Sequence, residues 1–119
     1  LGAFDEALLC AATKIIISPG ISLNESAFTT AKEKQIPFIG DIELFADYVN
    51  APVVAITGTN AKSTVTTLIG EMIAASGLRV AVGGNLGVPA LDLLTDPAPD
   101  FYVLEISSFQ LDTTESLLP

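Results

Sequence analysis

The run Val53-Val54-Ala55-Ile56-Thr57-Gly58-Thr59-Asn60-Ala61-Lys62-Ser63-Thr64-Val65-Thr66-Thr67 decides how this chain is read. An apolar segment leads into a small polar turn with a single lysine, and a helical pattern follows. A phosphate-binding loop needs this order. The buried strand fixes the turn, the backbone N–H groups of the turn face an anion, and the helix N-terminus adds its dipole. Lys62 supplies a mobile positive charge for outer phosphates, and the Ser63 hydroxyl is of a type that ligates Mg²⁺. The strict pattern G-x-x-x-x-G-K-[ST] is not met, because Ile56 and Ala61 stand where the glycines belong. A plain strand-to-helix turn is the competing reading of this stretch alone.

Outward from the loop the hydrophobic period alternates. Downstream it predicts strand 53–57, helix 62–76 closed by Gly77, strand 79–83, helix 89–94, a Pro97-Ala98-Pro99 turn and strand 101–106. Upstream it predicts helix 4–12, strand 14–17 ending at Ser18-Pro19-Gly20, and helix 26–34 with Asn24 and Ser26 as cap candidates. Strand 35–40 follows, then a helix from a capping Asp41 through Tyr48, broken by Asn50-Ala51-Pro52. Continuous apolar strands separated by helices predict an α/β fold of parallel βαβ units, in two pieces at 1–50 and 51–119.

Two more clusters lie at strand ends. Gly83-Gly84-Asn85-Leu86-Gly87 offers close backbone approach and an Asn amide that donates to a phosphate or hydroxyl, or is simply a tight turn. Phe101-Tyr102-Val103-Leu104-Glu105 ends in a carboxylate, the side of a parallel sheet where ligands bind. A solvated strand-end Glu is the bland alternative, and the neighbouring phosphate loop argues for a Mg²⁺ ligand.

The 119 residues are half hydrophobic, enough for one ordinary core. Fourteen acidic against five basic residues give a net charge of −9, with no basic cluster to track nucleic acid. Apolar runs such as Ile15-Ile16-Ile17 fall far short of the ~20 residues that span a bilayer, so no membrane is expected. Cys10 is alone, which fits a reducing compartment and a small, buried, apolar role. The chain opens on Leu1 and stops at Leu117-Leu118-Pro119, and is read as part of a longer protein.

Together, Thr57-Gly58-Thr59-Asn60-Ala61-Lys62-Ser63-Thr64, Gly84-Asn85-Leu86-Gly87 and Glu105-Ile106-Ser107-Ser108-Phe109-Gln110-Leu111 resemble the ATP-dependent Mur ligases of peptidoglycan synthesis. The Ser-Ser-Phe-Gln-Leu run points to the D-glutamate-adding branch, and Ser18-Pro19-Gly20-Ile21 and Gly40-Asp41-Ile42-Glu43-Leu44 extend the likeness over nearly the whole chain. The resemblance implies a Rossmann-like parallel piece, 1–50, ending the UDP-substrate domain. It is joined to the opening part of a P-loop-type ATPase domain, 51–119. It implies UDP-N-acetylmuramoyl-L-alanine, D-glutamate and ATP as substrates, Mg²⁺ as cofactor and the cytoplasm as location.

By motif position, Gly58, Thr59, Asn60, Ala61, Lys62, Ser63 and Thr64 would form the ATP site, with Lys62 and Glu105 catalytic. Ser63 and Glu105 would hold the metal, and Gly20, Asn85 and Gln110 the UDP-sugar substrate. Ala61 departs from the family glycine, and its methyl is expected to weaken ATP binding. Another Mur or folylpolyglutamate-type amide ligase, or a non-catalytic nucleotide-binding module, stands as the alternative.

The family's second metal site uses a histidine, and this chain has none. The isolated 119 residues are accordingly expected to show no turnover. The check is an assay for D-glutamate-dependent ADP release, in which any such release contradicts the expectation.

Overall fold

A computed structural model describes residues 3–118. The chain is a mixed α/β protein with two parallel sheets. The first part runs α1 (Glu6–Ala11), β1 (Ile15–Ile17), a 3-10 turn (Ser26–Phe28), α2 (Thr29–Glu33), β2 (Phe38–Gly40) and α3 (Asp41–Tyr48). The second runs β3 (Val53–Ile56), α4 (Lys62–Ala75), β4 (Val80–Gly84), a 3-10 turn (Ala90–Leu93), β5 (Phe101–Glu105) and α5 (Ser108–Leu111). Among the described residues, no helix is long and apolar enough to cross a membrane.

β1 and β2 pair from Ile15 opposite Phe38 to Ile17 opposite Gly40. Their small core holds Ile15, Ile17, Phe28 and Ala31, with Phe28 stacked between the tilted rings of Phe4 and Phe38. Cys10 is half-buried nearby on α1 rather than fully enclosed. Asp5 caps α1, its carboxylate accepting from the N–H groups of Ala7 and Leu8.

The second sheet has the order β3-β5-β4. β5 is the central strand, and Tyr102, Val103 and Leu104 are fully buried because neighbours cover both edges and both faces. The Tyr102 hydroxyl donates to Asn50 Oδ1 at 3.0 Å, tying the linker before β3 to the central strand.

Three features differ from the sequence expectations. Asp41 does not cap α3: Gly40 occupies the N-cap without a side-chain bond, and Asp41 sits in the first turn. Neither Asn24 nor Ser26 caps a helix, since Glu25 precedes the 3-10 turn and Phe28 is drawn into the core before α2 begins. Residues 90–93 form only a 3-10 turn, which has no side-chain cap at Pro89 and is ended by extended Leu94.

α3, which the break at Asn50-Ala51-Pro52 groups with the first part, packs into the second core. Ile42 and Phe45 are fully buried against Val53, Tyr102, Leu104 and Ile106, and the Phe45 and Tyr102 rings meet edge-on at 5.2 Å. The same helix grips the end of the chain. Glu43 accepts from the Ser116 hydroxyl at 2.6 Å and from the N–H groups of Ser116 at 3.0 Å and Glu115 at 2.7 Å.

These donors, the Ser116 hydroxyl foremost, hold the Glu43 carboxyl below the usual glutamate range. A depressed carboxylate stabilises the fold above its unfolded pKa of about 4.3, and that contribution is lost as pH falls through the lower folded value. Thermal unfolding followed from about pH 5 downward should lose stability less steeply in Glu43→Gln than in the parent chain. Identical acid slopes would contradict the assignment.

Candidate functional site

Parallel pairing brings the three suspect segments to one edge. The register sets Ile56 beside Glu105 and Glu105 beside Gly84, so the C-terminal ends of β3, β5 and β4 lie in one row. Glu105 is only 3% exposed. A buried carboxylate needs partners, and it has them: Ser63 Oγ donates to Glu105 Oε2 at 2.8 Å, and Asn85 Nδ2 approaches Oε1 at 3.4 Å.

The Gly84-Asn85 turn is moulded onto the end of β5. Asn85 N–H donates to the Glu105 carbonyl at 2.7 Å. Gly84 adopts φ +111°, and a Cβ there would overlap the Glu105 backbone carbonyl, so only glycine permits this approach. Ser63, Thr66, Thr67, Val82, Gly83 and Glu105 are among the residues that line an open cleft of about 230 Å³.

The loop from Thr57 to Ala61 is exposed and joins β3 to a 14-residue helix with no side-chain cap. The backbone N–H groups of its first turn therefore lack a side-chain partner, an arrangement that with the helix dipole suits an anion. Lys62 Nζ donates to the Gly58 carbonyl at 2.9 Å, folding the lysine back over the loop. Thr66 and Thr67 turn their hydroxyls onto the carbonyls of Lys62 and Ser63. Thr64 is exposed at the helix start.

Among the described residues, no group of three or more His, Cys, Asp or Glu is placed to hold a metal ion. The oxygen pair of Ser63 and Glu105 suits Mg²⁺ nonetheless, because that ion keeps several waters and shares phosphate oxygens rather than demanding a full protein cage.

Gly20 and Gln110 lie elsewhere. Gly20, with φ +91°, lines a cavity of about 290 Å³ walled by Ile17, Ser18 and Ile21 on one side and Phe109 and Thr113 on the other. Gln110 is 3% exposed, and both ends of its amide are hydrogen-bonded. Its Oε1 accepts from Ser107 N–H at 3.0 Å, and its Nε2 donates to Asp41 Oδ2 at 3.0 Å and Oδ1 at 3.2 Å. Phe109, 66% exposed beside the Gly20 loop, was not singled out from sequence. Its signal was its place in the Ser-Ser-Phe-Gln-Leu run.

Residues 1–40 match the family model described as Mur ligase MurD-like, N-terminal domain. The whole chain is similar to proteins named UDP-N-acetylmuramoylalanine--D-glutamate ligase. It is 56% identical to that of Nitrosococcus oceani over 98% of this chain. It is 59% identical to that of Pseudomonas syringae pv. syringae, again over 98%. The chain spans 26% of the length of each of these relatives. A solved pseudomurein peptide ligase type C from Methanothermus fervidus aligns over 90% of this chain and 22% of its own, at 27% identity and a TM-score of 0.42.

Ala61 adopts φ 59°, ψ 14°, the left-handed region. For an L-residue this costs ~1–2 kcal/mol, while glycine would give back ~0.5–1 kcal/mol in chain entropy, so Ala61→Gly should stabilise the fold by roughly 0.5–1 kcal/mol. Denaturant unfolding of the two chains measures the difference, and an equal or lower stability of the variant would contradict the strain.

Proposed function

We propose that this chain is a section of an ATP-dependent Mur ligase whose whole protein joins D-glutamate to UDP-N-acetylmuramoyl-L-alanine in peptidoglycan synthesis. The observation that carries the reading is the Ser63–Glu105 pair at 2.8 Å, set beside Lys62 at the uncapped start of α4. The similarity of 98% of the chain to ligases of that name supports it. On this reading the first part ends the UDP-substrate domain, residues 51–119 open the ATP-binding domain of P-loop type, and α3 joins them. The reaction is cytoplasmic.

The chemistry suits such residues. A carboxylate is a poor acyl donor until one oxygen becomes a leaving group. A carboxylate oxygen of the substrate attacks the γ-phosphorus of ATP, and the bond to ADP breaks to leave an acyl phosphate. The D-glutamate amine then attacks the acyl carbon, the bond to phosphate breaks, and the nitrogen sheds a proton.

Lys62 moves from the Gly58 carbonyl to the β- and γ-phosphates and offsets the charge that accumulates there. The loop N–H groups of residues 58–61 and the start of α4 with Thr64 cradle the same oxygens. Ser63 and Glu105 would hold Mg²⁺, which would neutralise phosphate charge when bound. Asn85 and Gly20 face the UDP-sugar substrate.

Ala61 favours a second reading, a nucleotide-binding module with weakened affinity. Calorimetric titration of Mg·ATP into the chain and into Ala61→Gly addresses both. Ala61→Gly should bind at least several-fold more tightly, and Lys62→Ala in that background should lose about tenfold or more, about 1.4 kcal/mol. Equal affinity with and without Lys62 would refute the phosphate-loop assignment.

A further inference from the structure

Residues 105–113 serve two places at once. They begin with Glu105 at the phosphate loop and end with Phe109 and Thr113 in the wall of the cavity opposite Gly20. What fixes that wall is the first turn of α3. Gly40 lies so close to Thr113 that a Cβ would overlap its hydroxyl. One residue on, Asp41 receives both hydrogen bonds from the buried Gln110 amide.

On its other side the Gln110 side-chain Oε1 accepts from Ser107 N–H, while the Gln110 backbone N–H donates to Ser107 Oγ at 3.2 Å. This reciprocal cap sets where α5 starts. The side chain is almost wholly closed off from solvent, and it is absent from the cavity wall.

We propose that Gln110 is a positioning residue: its amide bridges Ser107 and Asp41, and so holds Phe109 and Thr113 at the distance from the Gly20 loop that a UDP-sugar ligand requires. The choice of ligand rests on the function proposed above, but the bridge does not. Gln110 then governs ligand affinity without touching ligand.

A polarity swap separates this role from direct contact. Gln110→Glu sets a carboxylate against the Asp41 carboxylate, whereas Gln110→Glu with Asp41→Asn restores a donor facing an acceptor and keeps the bond from Ser107 N–H. By two-dimensional NMR of the full chain, the Phe109 ring and Thr113 methyl resonances should move in Gln110→Glu and return in the double variant. Titration with UDP-N-acetylmuramoyl-L-alanine should show affinity falling at least tenfold in the single variant and recovering to within threefold in the double. Resonances unmoved by Gln110→Glu, or not restored in the double variant, would overturn the proposal. So would affinity that stays low in the double variant while the resonances return, since that would make Gln110 a direct contact. Absence of binding by the parent chain would count against the ligand assignment alone, and the NMR comparison would still decide the bridge.

Discussion

The burial of β5 between β3 and β4 is the constraint on which the rest depends. Three consecutive side chains, Tyr102, Val103 and Leu104, are fully enclosed, so a one-residue slip would exchange their unequal shapes between two close-packed faces and pull the Tyr102 hydroxyl away from Asn50. Register is thereby fixed, and register is what carries Glu105 to Ser63 on one side and to the Gly84-Asn85 turn on the other. A carboxylate held this way is a feature of the sheet as much as of its own residue. Its desolvation is tolerated because donors from the first turn of α4 and from the Gly84-Asn85 turn converge on it.

The loop from Thr57 to Ala61 shows the opposite balance. It is exposed, its helix has no side-chain cap, and the residue before Lys62 stands in a backbone region that disfavours a Cβ. A loop that leaves N–H groups unmatched gives up local stability, and an anion is the natural partner for what is left over. The strain at Ala61 adds to that local cost. It is held by the well-packed β3 below and the 14 residues of α4 above.

Between these two regions α3 acts as a joint. Its buried face, Ile42 and Phe45, belongs to the core around β5, while its first turn meets the segment after β5 through Gly40, Asp41 and Glu43. Apolar packing sets how far the helix stands from the sheet, and the polar contacts set the direction of the chain beyond Glu105. The two cavities are therefore not independent, because residues 105–113 contribute to both.

Much of this was legible in the sequence. The alternation of apolar runs with helical patterns gave nine of its elements nearly in place, because continuous burial of parallel strands leaves a strong local signal. That Ser63, Asn85 and Glu105 gather at one end of the second sheet was legible too, since each lies at or beyond the C-terminal end of a parallel strand. Helix caps were misread at Asp41, Asn24 and Ser26, because capping depends on backbone angles that neighbouring packing decides. The allegiance of α3, the occupied amide of Gln110 and the grip of Glu43 on Ser116 join residues about 70 positions apart. Local sequence determines which residues can donate, accept or pack, and only the closed tertiary structure decides which of them meet.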